Sequence, residues 1–231
     1  MLDLRGGINL KILSITTSSP VCGVAVLNNN EVIYEITLNN GLTHSETLMP
    51  LISQVLRKAN LALNEIDLLA VDIGPGSFTG IRIGVSTVKA FADSLQIPTI
   101  GITSLEALSI HAKLNNVVCS LIDAKKGNCY NEIFEFTSKQ SIVRRKASFD
   151  NIDNFLLELK SINPENDITF IGDGAINYKD KILEALPNSK FIKNNELSPE
   201  DIGLYAYIYS TIDVFPNIEP FYLRKTSAEE K

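Results

Sequence analysis

The residues best placed to do chemistry sit in one short run, Gly74-Pro75-Gly76-Ser77-Phe78-Thr79-Gly80. A glycine-rich loop between an apolar strand and a helix N-terminus can present backbone N–H groups to an anion. The spacing fits no standard fingerprint. G-x-G-x-x-G needs glycine where Thr79 stands, and glycine arrives one residue late, at Gly80. A P-loop needs Lys-Ser/Thr after its last glycine, but Ile81-Arg82 follow Gly80. The nucleophile elbow G-x-S-x-G fails around Ser77, because Pro75 and Thr79 hold its glycine positions. Gly74, Gly76, Ser77, Thr79 and Gly80 therefore read either as a tight strand-to-helix turn or as a vestigial anion site.

Other polar clusters are weaker. The hydroxyls of Thr16-Thr17-Ser18-Ser19 follow an apolar strand and could hold a phosphate or close a polar turn. His44 stands beside Ser45 and Glu46. One His and one Glu fall short of the three protein ligands a zinc site needs, so His44 reads as a capping or surface residue. His111, near a helix end, compensates a dipole. Asp123 ends an apolar strand, and Asp173 lies between two glycines; each could orient a cation or water, or simply form a turn. Lys125-Lys126, Arg144-Arg145-Lys146 and Arg224-Lys225 read as solvated surface or as phosphate-facing groups. With only two histidines in the chain, a mechanism that needs several imidazoles is excluded. Cys22, Cys119 and Cys129 are odd in number and form no CxxC, against a disulfide framework or structural zinc. The expected compartment is a reducing cytoplasm.

The chain of 231 residues allows one large domain or two small ones. Apolar residues make up 45% and charged residues 21%, ordinary for a globular protein. A net charge of −6 gives no broad field for nucleic acid or an anionic membrane. No apolar run reaches the ~18 residues of a membrane span, and the first ten residues do not read as a secretory signal.

The elements that would position these residues follow from period and punctuation. Strands are predicted over 11–16, 21–27 and 32–38, with a tight Asn28-Asn29-Asn30 hairpin. Thr43 and Glu46 form a capping box for a helix to about Ala59, in which Pro50 kinks the helix or marks its start. A strand buried on both faces is predicted over 66–73, then a helix to about Leu95, a strand over 98–101, and a helix capped by Ser104. The second half repeats the theme loosely: strands over 117–122, 129–136 and 142–147, a helix over 152–159, a strand over 168–171 ended by Gly172-Asp173-Gly174, a helix over 179–185, a short strand at 190–192, and a last helix from Pro199. Two β-β-β-α-β-α halves suggest duplication. The expected division is an N-terminal lobe over 11–113, with the late helix near 198–214 packing back on it, a C-terminal lobe over 114–197, and irregular ends at 1–10 and 217–231.

The first two helices are apolar beyond one stripe. On the first, Leu48, Ile52, Val55 and Ala59 make one stripe, and Met49 and Leu56 another. On the second, Ile81, Val85, Val88, Ala92 and Leu95 make a core stripe, and Gly80, Gly84, Thr87 and Phe91 a face of small residues closed by an aromatic. Glycine inside a helix costs about 1 kcal/mol against alanine, so Gly84 needs a reason. Such helices are either deeply buried or paired with a partner.

The string Asp72-Ile73-Gly74-Pro75-Gly76-Ser77-Phe78-Thr79-Gly80-Ile81-Arg82-Ile83-Gly84-Val85 resembles the signature of the TsaB family. These are the non-catalytic subunits of the bacterial tRNA threonylcarbamoyladenosine machinery, in the glycoprotease-like TsaD superfamily. His44-Ser45-Glu46-Thr47-Leu48-Met49-Pro50, Ile122-Asp123-Ala124-Lys125-Lys126-Gly127, Gly172-Asp173-Gly174 and Pro220-Phe221-Tyr222-Leu223-Arg224 agree with it, and the resemblance spans about residues 11–224. It implies an α/β fold of two RNase H-like lobes of the actin/Hsp70/sugar-kinase type, each a mixed sheet flanked by helices. It implies pairing with a TsaD-like catalytic paralogue through the first two helices, so Met49, Leu56, Gly80, Gly84, Thr87 and Phe91 are the expected partner face. A TsaE-like ATPase joins the pair, and tRNA is met only through the complex. The product is the threonylcarbamoyl group on the adenosine next to the anticodon of tRNAs reading codons that begin with adenine. Isolated, the chain is expected to form a homodimer on the same face.

Departures from the relatives bear on catalysis. The catalytic relative holds a metal with H-x-x-x-H on the first helix, and here Leu48 stands four residues after His44. Nucleotide-binding members carry an acid at the end of strand one, and here it is Thr16. The expectation is a chain with no catalytic residue and no metal or cofactor of its own; ATP and metal belong to the partner subunits. A free-standing ATP-dependent phosphotransferase or a glycoprotease-like hydrolase is the competing reading, and Thr16 and Leu48 count against both.

Overall fold

Hydrophobic period and turn chemistry resolve into two sheets in a computed structural model that describes residues 9–39, 41–111, 117–136, 141–162, 167–193, 196–209 and 218–224. The chain divides into two compact units, Met1–Ala107 with Leu197–Phe221, and Leu108–Glu196 with Tyr222–Lys231. The first unit opens with a meander, β1 (Lys11–Thr16), β2 (Cys22–Asn28) and β3 (Glu31–Leu38). Asn29 turns the β2–β3 hairpin with φ at 57°, a conformation asparagine tolerates. There follow α1 (His44–Ala59), β4 (Leu68–Asp72), α2 (Phe78–Leu95), β5 (Thr99–Ile102) and α3 (Ser104–Ser109). The sheet order is β3-β2-β1-β4-β5, with β1 antiparallel to β2 and parallel to β4.

The second unit repeats this plan. It runs β6 (Val117–Lys125), β7 (Asn128–Phe136), β8 (Ser141–Asn151), α4 (Ile152–Ile162), β9 (Ile168–Ile171), α5 (Asp173–Asn177), α6 (Lys179–Ala185) and β10 (Lys190–Phe191). Its sheet order, β10-β9-β6-β7-β8, is the first sheet's order read from the other edge. The last described helix is α7 (Pro199–Tyr209). Of the predicted irregular ends and late helix, residues 1–8, 210–217 and 225–231 lie outside the described residues.

Both faces of the first sheet are buried, and strand alternation explains how. Leu13, Ile15, Val24, Val26, Leu69 and Val71 face α1 and α2. Their neighbours Ile12, Ala25, Leu27, Leu68 and Ala70 face α7, which brings Ile202 and Ala206. That double burial is why β4 lacks an alternating pattern. Ser14 donates a 2.6 Å hydrogen bond to the Pro199 carbonyl, fixing the start of α7 against β1.

Pro50 lies inside α1, which the Thr43–Glu46 capping box opens at His44, as expected, so Pro50 does not mark the start. Two expectations need correction. Ser104 does not cap α3: Glu106 accepts from the Thr103 amide at 2.9 Å and its own amide donates to Thr103 Oγ1 at 3.1 Å, so Thr103 is the cap. Asp173 is not a bare turn former, since it opens α5.

Candidate functional site

The polar residues of the first unit converge where β1, β4 and β5 end. Asp72, the last residue of β4, is fully buried, and each of its oxygens is engaged. Oδ1 accepts from the Gly74 amide at 2.9 Å and from Ser104 Oγ at 2.7 Å. Oδ2 accepts from Thr16 Oγ1 at 2.8 Å and from Ser18 Oγ. Burial pushes the Asp72 carboxyl above the usual range, and the bonds from Ser18, Ser104, Gly74 and Thr16 oppose that shift.

The glycine loop packs onto the turn after β1. A Cβ on Gly80 would lie 1.9 Å from the Thr17 carbonyl oxygen, and one on Gly76 2.3 Å from that of Ser18. The Ser77 amide donates to the Ser18 carbonyl at 2.7 Å, and Ser77 Oγ caps α2 by accepting from the Gly80 amide at 3.2 Å. Thr79 is exposed. The structure thus brings Gly74, Gly76, Ser77, Thr79 and Gly80 together, but the amides of Gly74, Ser77 and Gly80 are spent inside the chain and have no hydrogen left for a phosphate.

The histidine is also committed. His44 Nε2 donates to the Ser19 carbonyl at 2.9 Å, and Leu48 is 1% exposed in the core. Among the described residues no group of three His, Cys, Asp or Glu side chains is placed to hold a metal ion. A Mg²⁺–nucleotide does not fit this end of the sheet. Its cation needs open oxygen ligands, and Thr16 offers only a buried hydroxyl while the Asp72 carboxylate is enclosed by its own hydroxyl donors.

The expected partner face separates into two parts. Gly80 and Gly84 do not face another chain. A Cβ on Gly84 would lie 2.6 Å from Thr17 Oγ1 and 3.5 Å from Val71 Cγ2, so these glycines let α2 approach its own sheet. The expectation erred because a stripe of small residues serves a sheet as well as it serves a helix. Of the other members, Met49, Leu56 and Phe91 line one open groove beside α1, which Ile52, Leu61 and Leu63 and the polar Ser53 and Arg57 complete, and Thr87 does not line it. Met49 is 50% exposed, and Leu56 is buried except along the groove. Thr87 donates to the Ile83 carbonyl at 2.8 Å, which satisfies its hydroxyl within α2.

In the second unit the basic run does not form a free patch. Arg144 pairs with Glu135, and Arg145 pairs with Asp150 at 3.1 Å and Glu158 at 3.2 Å while lying over the Phe155 ring. Lys125 Nζ bonds Asp123 at 3.0 Å, as do Asn177 at 3.0 Å and Tyr178 at 2.8 Å. Against the burial that raises it, these bonds hold the Asp123 carboxyl below its ordinary value. The Asp123 amide in turn donates to Asp173 at 3.0 Å. Arg224 lies over the Phe149 ring, and Lys225 is outside the described residues.

Sequence reasoning missed the Asp72 hub and the Arg145 network. A signal existed for the first: an acid closing an all-apolar strand must find donors, and Thr16, Ser18 and Ser104 were available.

Paired five-stranded sheets of one topology, each flanked by helices, define a protein of the actin/Hsp70/sugar-kinase class with its strand-end site filled from within. The ROK hexokinase of Thermus thermophilus is similar in fold at TM-score 0.54 and 9% identity, over 86% of this chain and 97% of that one. YeaZ from Pseudomonas aeruginosa is similar at TM-score 0.66 and 22% identity, over 87% and 92%. Residues 35–228 match the family model TsaD, tRNA N6-adenosine threonylcarbamoyltransferase. The Haemophilus influenzae tRNA threonylcarbamoyladenosine biosynthesis protein TsaB is 30% identical over 94% of each chain, and the Bacillus subtilis protein 28% identical over 96% and 97%. The chain belongs to the TsaB family, within the wider TsaD family.

Proposed function

We propose that this chain is a non-catalytic subunit for threonylcarbamoyladenosine formation on tRNA, acting by pairing with a TsaD-like catalytic paralogue and, through that pair, with a TsaE-like ATPase. The observation that carries the reading is the contrast between two surfaces of one unit. The strand ends, where a nucleotide-binding relative would hold cation and phosphate, are closed by Asp72, Thr16, Ser18 and Ser104. The α1–α2 groove, by contrast, is open and largely apolar, with Met49 and Phe91 on its walls and Ser53 and Arg57 at its polar side. An exposed apolar groove on a protein of this size marks an interaction site. Contact with tRNA belongs to the assembled complex, since Arg144 and Arg145 are already paired within the chain. ATP and metal are supplied by the partner subunits. No described helix is long and apolar enough to cross a membrane. A cytoplasmic, homodimeric form of the isolated chain is part of the same proposal.

The test is reconstitution with the TsaD and TsaE homologues of the same organism, followed by nucleoside mass spectrometry of the tRNA. Product should form only when this chain is present, and the chain alone should turn over neither ATP nor peptide. Modification at full rate without it would refute the proposal.

A further inference from the structure

A second surface of the first unit remains open. Among the described residues β3 is an edge of its sheet, so the outward N–H and C=O groups of Glu31–Leu38 have no strand beside them. Edges are usually blunted by Lys, Pro or shortness. This one runs eight residues with neither Lys nor Pro; a bulge at Ile33 interrupts it and leaves Tyr34–Leu38 as a regular stretch, and Val32, Ile33 and Leu38 are 36%, 42% and 36% exposed.

The edge also has a charge. Glu35 stands beside Ala25 in the ladder and shares its face toward α7, where the Glu200 and Asp201 carboxylates lie near it. Glu35 is half-buried and makes no hydrogen bond or ion pair among the described residues. Burial, then Glu200 and Asp201, push its carboxyl up to about 7, the mark of an acid with no cation beside it. On the opposite face of β3, Leu38 offers apolar contact beside the half-buried Tyr34 and Ile36, while Val32, beyond the bulge, stands beside Leu27 on the α7 side.

We propose that the outer edge of β3 receives an extended, cationic segment of a partner protein, which adds as a further strand along Tyr34–Leu38 and sets a Lys or Arg against Glu35, beside Glu200 and Asp201. Main-chain hydrogen bonds along the edge supply affinity, and the alternating side chains supply selection: basic toward α7, apolar toward α1. A second copy of this chain suits the edge less well. Pairing β3 with itself would bring a second Glu35 toward a face that already holds the Glu35, Glu200 and Asp201 carboxylates. The surface is distinct from the α1–α2 groove, so occupation of one does not require the other.

The probe is a capped peptide of alternating lysine and valine, about nine residues long, matched to a β-strand of ordinary length. Controls carry glutamate for lysine, or one central proline. Binding to the full chain is followed by fluorescence anisotropy, and its place by hydrogen exchange. The lysine peptide should bind saturably and slow exchange of the Tyr34–Leu38 amides. The glutamate and proline peptides should not bind, and Glu35→Gln and Glu35→Lys should each weaken binding, the latter about tenfold or more. Unchanged melting temperatures would show that these variants fold. Absent binding, equal binding by the proline peptide, or protection elsewhere would overturn the proposal. Concentration-dependent self-association that protects the same amides without peptide would assign the edge to a second copy and overturn it too.

Discussion

At Gly84 the missing side chain is what lets α2 lie against the end of β1. A methyl there meets Thr17 Oγ1 at 2.6 Å, and that hydroxyl is held by the Gly80 carbonyl at 2.8 Å. Gly84→Ala should therefore cost about 1–3 kcal/mol in urea unfolding despite alanine's higher helix propensity, and Gly84→Leu should not fold. A Gly84→Ala protein as stable as the parent would show that Thr17 moves aside freely. Gly84 was legible in the sequence as a position needing close approach, but which body approaches was not. A helix pattern records small residues and not their neighbour, and Thr17 lies far away in the chain. The Asp72 hub was illegible for the same reason, since Thr16 and Ser104 reach it across 56 and 32 residues. Glu35 gives a prediction with a defined sign. Its carboxyl titrates near 7 in the folded chain against an ordinary 4.5, so the folded state binds more protons between those values. Stability should fall as pH rises from about 4.5 to 7 and then level off. Glu35→Gln should remove that fall and leave the variant about 1–2 kcal/mol more stable at pH 8, after allowing for screening of a partly exposed group. Parallel stability–pH curves for the two proteins would contradict this.

Among the elements, those with local signals were read closely. The Thr43–Glu46 box starts α1, Asn60 at φ 55° ends it, and Pro199 stands at the first position of α7. What could not be read was how the faces of α1 and α2 divide between core and groove. Both are apolar on two sides, and Leu51, absent from either predicted stripe, is among the largest fully buried side chains. The division makes a testable contrast among residues all expected on the partner face. Met49→Glu and Phe91→Glu change the groove wall, so both should abolish pairing with a TsaD-like subunit in sedimentation; Met49→Glu should leave thermal melting near the parent's, while Phe91→Glu should lower it, since Phe91 packs against the core. Leu56 is 8% exposed and part of the core, so Leu56→Ala should cost about 2–4 kcal/mol of stability. If Met49→Glu and Phe91→Glu pair normally, the groove is not the contact surface.

The duplicated plan was visible at the scale of the whole molecule, because period changes and turns recur in the same order in both halves. The expected return of the late helix to the first lobe left open which face of the sheet it covers, for that helix lies nearly a hundred residues beyond β5. Past its acidic first turn α7 is apolar on all sides, a pattern that means burial or partnership but names no partner. In the structure it covers the sheet face opposite α1 and α2. Ile202 and Ala206 bury Ile12, Ala25 and Leu27, and a Cβ on Gly203 would meet Leu27 Cδ1 at 2.3 Å. A sheet with only one covered face would leave Ile12, Ala25, Leu27, Leu68 and Ala70 in water, and at roughly 25 cal/mol per Å² of apolar surface no small unit tolerates that loss. Terminating the chain after Glu196 should therefore abolish cooperative unfolding of the first unit, read by dispersion of its amide resonances, while the second sheet, whose core contains no α7 residue, should keep its signals. A peptide of residues 197–221 added in trans should restore the lost dispersion, because the docking surface on β1 and β2 would still be encoded. If the truncated chain shows a fully dispersed first unit without the peptide, α7 is an appendage and not a layer of the fold.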